Sequence, residues 1–146
     1  MANIIGYAPG VFDLFHIGHL RLLRHARAHC DHLVVGLLTD EATADLKGTA
    51  PLVPLHERLD IIRALNPVDD VFVISTPNTL EAWQNIGFHR LFKGVNQAAA
   101  PSSSGPPQRR TTATDFEVYH LSYTPHIASA SASLRYIVNV LAAVRA

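Results

Sequence analysis

Between Leu33 and Leu38 the chain reads Leu-Val-Val-Gly-Leu-Leu, without one polar side chain. So short and uniformly apolar a run has no face suited to water. It belongs to a strand covered on both sides, as in a parallel sheet sandwiched between helices. The segments around it repeat that message. Ile4 to Ala8 is another apolar run, and it stops at the turn pair Pro9-Gly10. From Ile17 onward, Leu20, Leu23 and Ala26 fall on one helical face and Arg21, Arg24 and His25 on another. Thr39 to Pro54 is polar with glycine and proline and reads as a connection, after which Leu55, Leu59, Ile62 and Leu65 restore helical spacing up to Asn66-Pro67.

The scheme then continues. Val71 to Ile74 reads as a strand, and Asn78 caps a short helix that carries Leu80 and Trp83 and closes at Gly87. A brief strand around Leu91 and Phe92 leads to Lys93-Gly94. Residues 98–114 hold no Leu, Ile, Val or aromatic side chain but three prolines and Ser102-Ser103-Ser104, so they are expected to form a mobile loop. Val118 to Leu121 reads as the last strand, and Ser131 to Val144 as a closing amphipathic helix through Leu134, Ile137, Val138 and Leu141. Strands alternating with helices imply an α/β fold: a Rossmann-like parallel sheet of about five strands with flanking helices, in one domain over residues 1–146.

Composition bounds the function. Twelve basic residues balance twelve acidic ones, so no basic face for nucleic acid or a membrane surface is implied. Cys30 is the single cysteine, which excludes an internal disulfide and suits a reducing cytoplasm. Met1 to Ala8 shows no signal peptide, and no apolar run approaches the roughly 20 residues of a membrane span.

The chemistry is concentrated in Pro9-Gly10-Val11-Phe12-Asp13-Leu14-Phe15-His16-Ile17-Gly18-His19. This stretch leaves a strand and enters a helix, where a parallel sheet presents helix N-terminal N–H groups to an anion. Gly10 is expected to let the backbone turn and approach a ligand. Gly18 leaves room for a phosphate where a Cβ would intrude. His16 and His19, three apart, can face one side of the helix start and neutralise charge on a transferred phosphoryl group.

The whole string, G-x-F-D-x-x-H-x-G-H, resembles the signature of the cytidylyltransferase family. That family includes glycerol-3-phosphate and phosphoethanolamine cytidylyltransferases and the nucleotidyltransferase domain of ADP-heptose synthases. The resemblance implies a nucleotidylyl transferase type of Rossmann-like fold, CTP or ATP as donor, Mg²⁺ carried by the triphosphate, and a small phosphorylated acceptor. It also implies release of pyrophosphate and a homodimer. By motif match, His16 and His19 contact the triphosphate, the Val11 and Phe12 backbone lies beside the nucleotide, and Asp13 fixes the loop. Thr39-Asp40-Glu41 followed by Lys47-Gly48 is similar to the family's strand-end motif and downstream lysine, so Lys47 meets the acceptor phosphate or the triphosphate. Pro54-Leu55-His56-Glu57-Arg58 matches P-x-x-E-R, whose arginine contributes to the active site. Gly94 stands at the family's nucleotide-side glycine.

Two places depart from the pattern. Where the glycerol-3-phosphate enzymes read G-D-D-W, this chain has Gly94-Val95-Asn96-Gln97, so two carboxylates are absent and Asn96 offers only hydrogen bonds to an acceptor. The R-T-x-G-I-S-T-T segment becomes Tyr123-Thr124-Pro125-His126-Ile127-Ala128-Ser129-Ala130. Thr124, Ser129 and Ser131 remain as hydroxyls for a triphosphate, or as simple helix caps. Taken together, the residues point to transfer of CMP from CTP to an acceptor such as glycerol 3-phosphate. The alternatives are an ATP-using adenylyltransferase and a nucleotide-binding module of the same fold without catalysis. His25 and His29 share a helix face, yet no cysteine pair or carboxylate completes a metal set.

Overall fold

The computed structural model describes residues 3–95, 108–111 and 116–122. Ten elements follow in chain order: β1 Ile5–Gly10, α1 Ile17–Ala28, β2 His32–Leu38, α2 Asp40–Lys47, α3 Leu55–Arg63, β3 Asp70–Ile74, α4 Thr79–Ile86, β4 Arg90–Val95, β5 Gln108–Thr111 and β6 Glu117–Ser122. The strands form one sheet in the order β3-β2-β1-β4-β6-β5. The first five of these are mutually parallel, as the apolar runs predict, and β5 adds an antiparallel edge along β6.

Alternation along the strands separates two cores. Ala8, Leu33, Val35, Leu37 and Phe92 face α1 and α3, meeting Leu22, Leu23, Ala26 and Ile62. Tyr7, Val34 and Leu91 face the other way, toward Ala82 of α4, Phe88 and Phe116. A strand with apolar residues at every position is therefore what two covered faces require, and β2 is buried from Leu33 to Leu38.

The strand order fixes where a ligand can enter. From β1 the chain first builds outward through β2 to β3, then crosses back to lay β4 on the other side of β1. The crevice at the carboxyl ends of β1 and β4 is thus the switch point of the sheet. The β1–β4 ladder pairs Gly6 with Arg90 and Tyr7 with Leu91 and ends there, whereas β1 pairs with β2 as far as Gly10 and Leu37. Pro9, which has no N–H to offer a neighbour, lies where the β4 ladder has stopped.

Three expectations change. β1 runs through Pro9-Gly10 to the loop beyond instead of ending before them. The polar passage 39–54 contains α2, capped by the Thr39 hydroxyl on the Ala42 N–H and closed by Gly48 at φ 82°. This helix buries only Ala42 and Thr43, too little for an apolar stripe to be visible. Within 98–114, residues Gln108–Thr111 form β5, held by backbone pairing that needs no apolar side chain. The remainder of 98–114 and the helix expected at 131–144 lie outside the described residues. No helix among the described residues is long and apolar enough to cross a membrane.

Candidate functional site

The loop from β1 to α1 is held in an unusual shape. Phe12 and Leu14 adopt left-handed φ values of 52° and 49°. Non-glycine residues enter that region at a cost, and persist there when the surroundings over-determine them. Here the restraints are visible. The Asp13 carboxylate, 3% exposed, accepts the N–H of Leu14 at 3.0 Å, Leu52 at 2.8 Å and Val53 at 2.9 Å. A side chain that accepts from both segments fixes them against each other. Gly10 is not the turn residue: a Cβ there would come within 2.9 Å of the Phe12 ring, so its bareness serves packing.

His16 and His19 come together at the start of α1. His16 is the N-cap, and its Nδ1 accepts the Gly18 N–H at 3.0 Å. His19 Nδ1 accepts the His16 N–H at 3.3 Å, which completes a reciprocal capping box built from two imidazoles. The rings stack with centroids 4.0 Å apart and 29° between planes. Phe12 meets His19 edge-on at 5.6 Å, and Phe15 lies 5.3 Å from the same ring. An Nδ1 that accepts a backbone N–H carries no proton, so in each neutral imidazole the ring proton resides on Nε2. Burial also lowers the His16 pKa below its ordinary 6.5, which keeps that ring neutral near pH 7. The first turn of α1 holds no acidic residue. Two N-terminal N–H groups, those of His16 and Gly18, are committed to the imidazoles. What Gly18 offers a ligand is the absence of a side chain, since its N–H is occupied.

Arg58 departs most from expectation. As a supporting cation for a triphosphate it would need an accessible guanidinium, yet it is 1% exposed. Its Nε donates to the Val53 carbonyl at 2.8 Å, and one terminal nitrogen donates to the carbonyls of Val11 and Leu38, each at 2.9 Å. The other pairs with Asp40 at 2.6 Å. Parallel strands end in carbonyl oxygens, and Arg58 satisfies two of them, beyond β1 and at the end of β2. It positions the loop rather than the ligand. Asp40, at the start of α2, is the partner that sequence reasoning missed. The available signal was its place in Thr39-Asp40-Glu41, directly after the apolar run of β2.

The other expected residues are distributed as follows. Val11 and Phe12 have buried side chains, so only their backbone can meet a ligand, and the Val11 carbonyl is already bonded to Arg58. Lys47 is exposed in the last turn of α2, and the chain leaving it returns to the motif loop at Leu52 and Val53 through Asp13. Gly94 is exposed at the carboxyl end of β4, beside the crevice. Asn96, Thr124, Ser129 and Ser131 lie outside the described residues. The two acids beside the loop, Asp13 and Asp40, have oxygens turned to N–H groups and to Arg58. Among the described residues no group of three His, Cys, Asp or Glu could hold a metal. His25 and His29 do not change this, since the His29 Nδ1 donates to the His25 carbonyl at 2.9 Å.

This arrangement can be set beside known proteins. Residues 7–100 match the cytidylyltransferase-like family, well over half of the chain. The chain belongs to the cytidylyltransferase-like family. A bifunctional protein HldE from Hyphomonas neptunium is 43% identical over 93 residues, covering 62% of this chain and 19% of that protein. An ethanolamine-phosphate cytidylyltransferase from Arabidopsis thaliana is 48% identical over 65 residues, covering 44% of this chain and 15% of that one. The matched region is thus less than a fifth of the length of either relative. Among solved structures, a lipopolysaccharide core biosynthesis protein from Thermoplasma volcanium superposes with a TM-score of 0.59 at 28% identity. That match covers 64% of this chain and 75% of the other. The shared fold is the Rossmann-like sheet with its flanking helices.

Proposed function

We propose that this chain is a nucleotidyltransferase that moves a nucleoside monophosphate from a nucleoside triphosphate to a small phosphorylated acceptor, releasing pyrophosphate. The observation that carries this reading is the two-imidazole capping box at the sheet's switch point. It commits both Nδ1 atoms to the backbone and assigns both ring protons to Nε2. An acceptor phosphate oxygen forms a new bond to the α-phosphorus as the bond to the bridging oxygen breaks, and that oxygen leaves on pyrophosphate. The nucleophile is already an anion, so the barrier falls through positioning and charge neutralisation without a general base. The Nε2–H groups of His16 and His19 donate to the triphosphate oxygens, and Lys47 adds charge to the triphosphate or the acceptor. Magnesium, arriving with the nucleotide, neutralises charge on the phosphates. Arg58 and Asp13 hold the loop against which the nucleotide lies.

For the donor we favour CTP, and for the acceptor a polyol phosphate such as glycerol 3-phosphate. Support comes from the family match and from the likeness to an ethanolamine-phosphate cytidylyltransferase. ATP is the second reading, which rests on the sequence resemblance to ADP-heptose synthases. We further propose a cytoplasmic homodimer. β3 ends the sheet with Phe72 and Val73 exposed at 42% and 46%, an edge that a second copy would cover. The test is a pyrophosphate-release screen that crosses ATP, CTP, GTP and UTP with a panel of small phosphate monoesters. A productive pair identifies base and acceptor together. Binding of CTP without release from any pair would overturn the enzyme reading and leave a nucleotide-binding module.

A further inference from the structure

Arg58 is locked to carbonyls and to Asp40, so it adds no cation to Lys47 for an incoming phosphate. We propose that Lys93, with His120 beside it, binds the phosphate of the acceptor, a role that rests on the nucleotidyltransferase reading above. Lys93 is the antepenultimate residue of β4, one of the two strands that flank the switch point. It is exposed, and it pairs in register with the half-buried His120 of β6. Directly paired residues on neighbouring strands project to the same face, so the two side chains leave the sheet side by side. Among the described residues, no hydrogen bond or ion pair engages either side chain. Two such side chains, side by side on one face of the sheet, leave their donors for an anionic ligand.

Alternation says which face they occupy. Phe92 packs with Ala8 and Leu23 on the α1 side, while Leu91 packs with Tyr7 and Ala82 on the α4 side. Lys93 and His120 therefore project to the α4 side, opposite the face on which α1 carries His16 and His19. An in-line displacement at phosphorus needs the entering and leaving oxygens on opposite sides. Imidazoles that hold the departing pyrophosphate from one face call for acceptor binding from the other, and Lys93 with His120 occupies it.

Calorimetric titrations of the wild type, Lys93→Met and His120→Asn with inorganic phosphate, glycerol 3-phosphate and CTP test this assignment. The proposal expects phosphate-monoester affinity to fall roughly 10- to 100-fold in Lys93→Met and less in His120→Asn, the range for losing charge-assisted hydrogen bonds. CTP affinity and the thermal midpoint stay as in the wild type, and in turnover assays the acceptor KM rises while the CTP KM holds. It is overturned by unchanged phosphate affinity in Lys93→Met, by a parallel loss of CTP affinity, or by a wild type that binds no phosphate monoester. Failure of the wild type to bind any nucleoside triphosphate counts instead against the function proposed above.

Discussion

Tyr7 is 1% exposed, stacked on Phe88 at 4.8 Å, and its hydroxyl has no hydrogen-bond partner among the described residues. The hydroxyl occupies the space above Gly36, where an added Cβ would collide with it. In the unfolded chain that oxygen is solvated, so folding costs the desolvation of a polar group with nothing in return, about 1–3 kcal/mol. Tyr7→Phe removes the cost and retains the ring, with its stacking on Phe88 and its packing beside Val34, Leu91 and Phe116. Against the gain stands the small void left over Gly36, so the net stabilisation should be near the lower end, about 1 kcal/mol. For a domain of this size that raises the thermal midpoint by about 2–4 °C. Urea titrations followed by circular dichroism should show a higher midpoint at unchanged slope. A second signature is available in alkali. Burial pushes the Tyr7 pKa from 10.0 up to about 12, so the folded state retains a proton that the unfolded state releases between those values. Wild-type stability should therefore fall as pH rises from 10 toward 12, by more than in Tyr7→Phe. A Phe variant less stable than the wild type at pH 7 would refute the reasoning, because it would mean that the hydroxyl is satisfied.

Two further outcomes follow from the loop and its supports. Arg58→Met should destabilise the fold by about 3–5 kcal/mol, since it strands Asp40 and leaves the Val11, Leu38 and Val53 carbonyls without their donor. Lys should rescue little of this, because an ammonium cannot span the fork; chemical denaturation of both variants checks it. His16 is shifted below its ordinary 6.5 by burial, so the unfolded chain binds the additional proton first as pH falls. Its contribution to stability is present above 6.5 and is lost below that value, and α1 should begin to fray there because a protonated Nδ1 cannot accept the Gly18 N–H. Amide exchange at Gly18 across pH 5 to 8 reads this directly.

How far the sequence discloses the molecule depends on whether a residue acts through periodicity or through a distant partner. β2 and α1 are legible because apolar side chains recur where two packed faces need them. The caps Asn78 and Gly87 are legible too, since their chemistry is local: Asn78 accepts from Leu80 and Glu81, and Gly87 takes φ 70°. α2 is not, because its few buried residues leave no stripe, and β5 is not, because pairing along β6 asks nothing of its side chains. The motif marks His16 and His19 as a pair but does not reveal that they cap each other's backbone. Nor does it reveal that Phe12 and Leu14 carry the left-handed turn in place of Gly10. Arg58 looks like surface in a Glu-Arg pair on an amphipathic helix. Its burial is set by carbonyls 5, 20 and 47 residues away, which no local pattern encodes.

In the proposed reaction the imidazoles of His16 and His19 act on a triphosphate, beyond their part in starting a helix. Asn is a strong N-cap, and Gln at the third helical position closes an ordinary capping box, so His16→Asn with His19→Gln preserves the local fold while deleting both rings. With the productive nucleotide and acceptor pair, pyrophosphate release by this double variant should fall by at least about 10³-fold, while its thermal midpoint stays within a few degrees of the wild type. Release at a near-normal rate from a folded double variant would contradict the account.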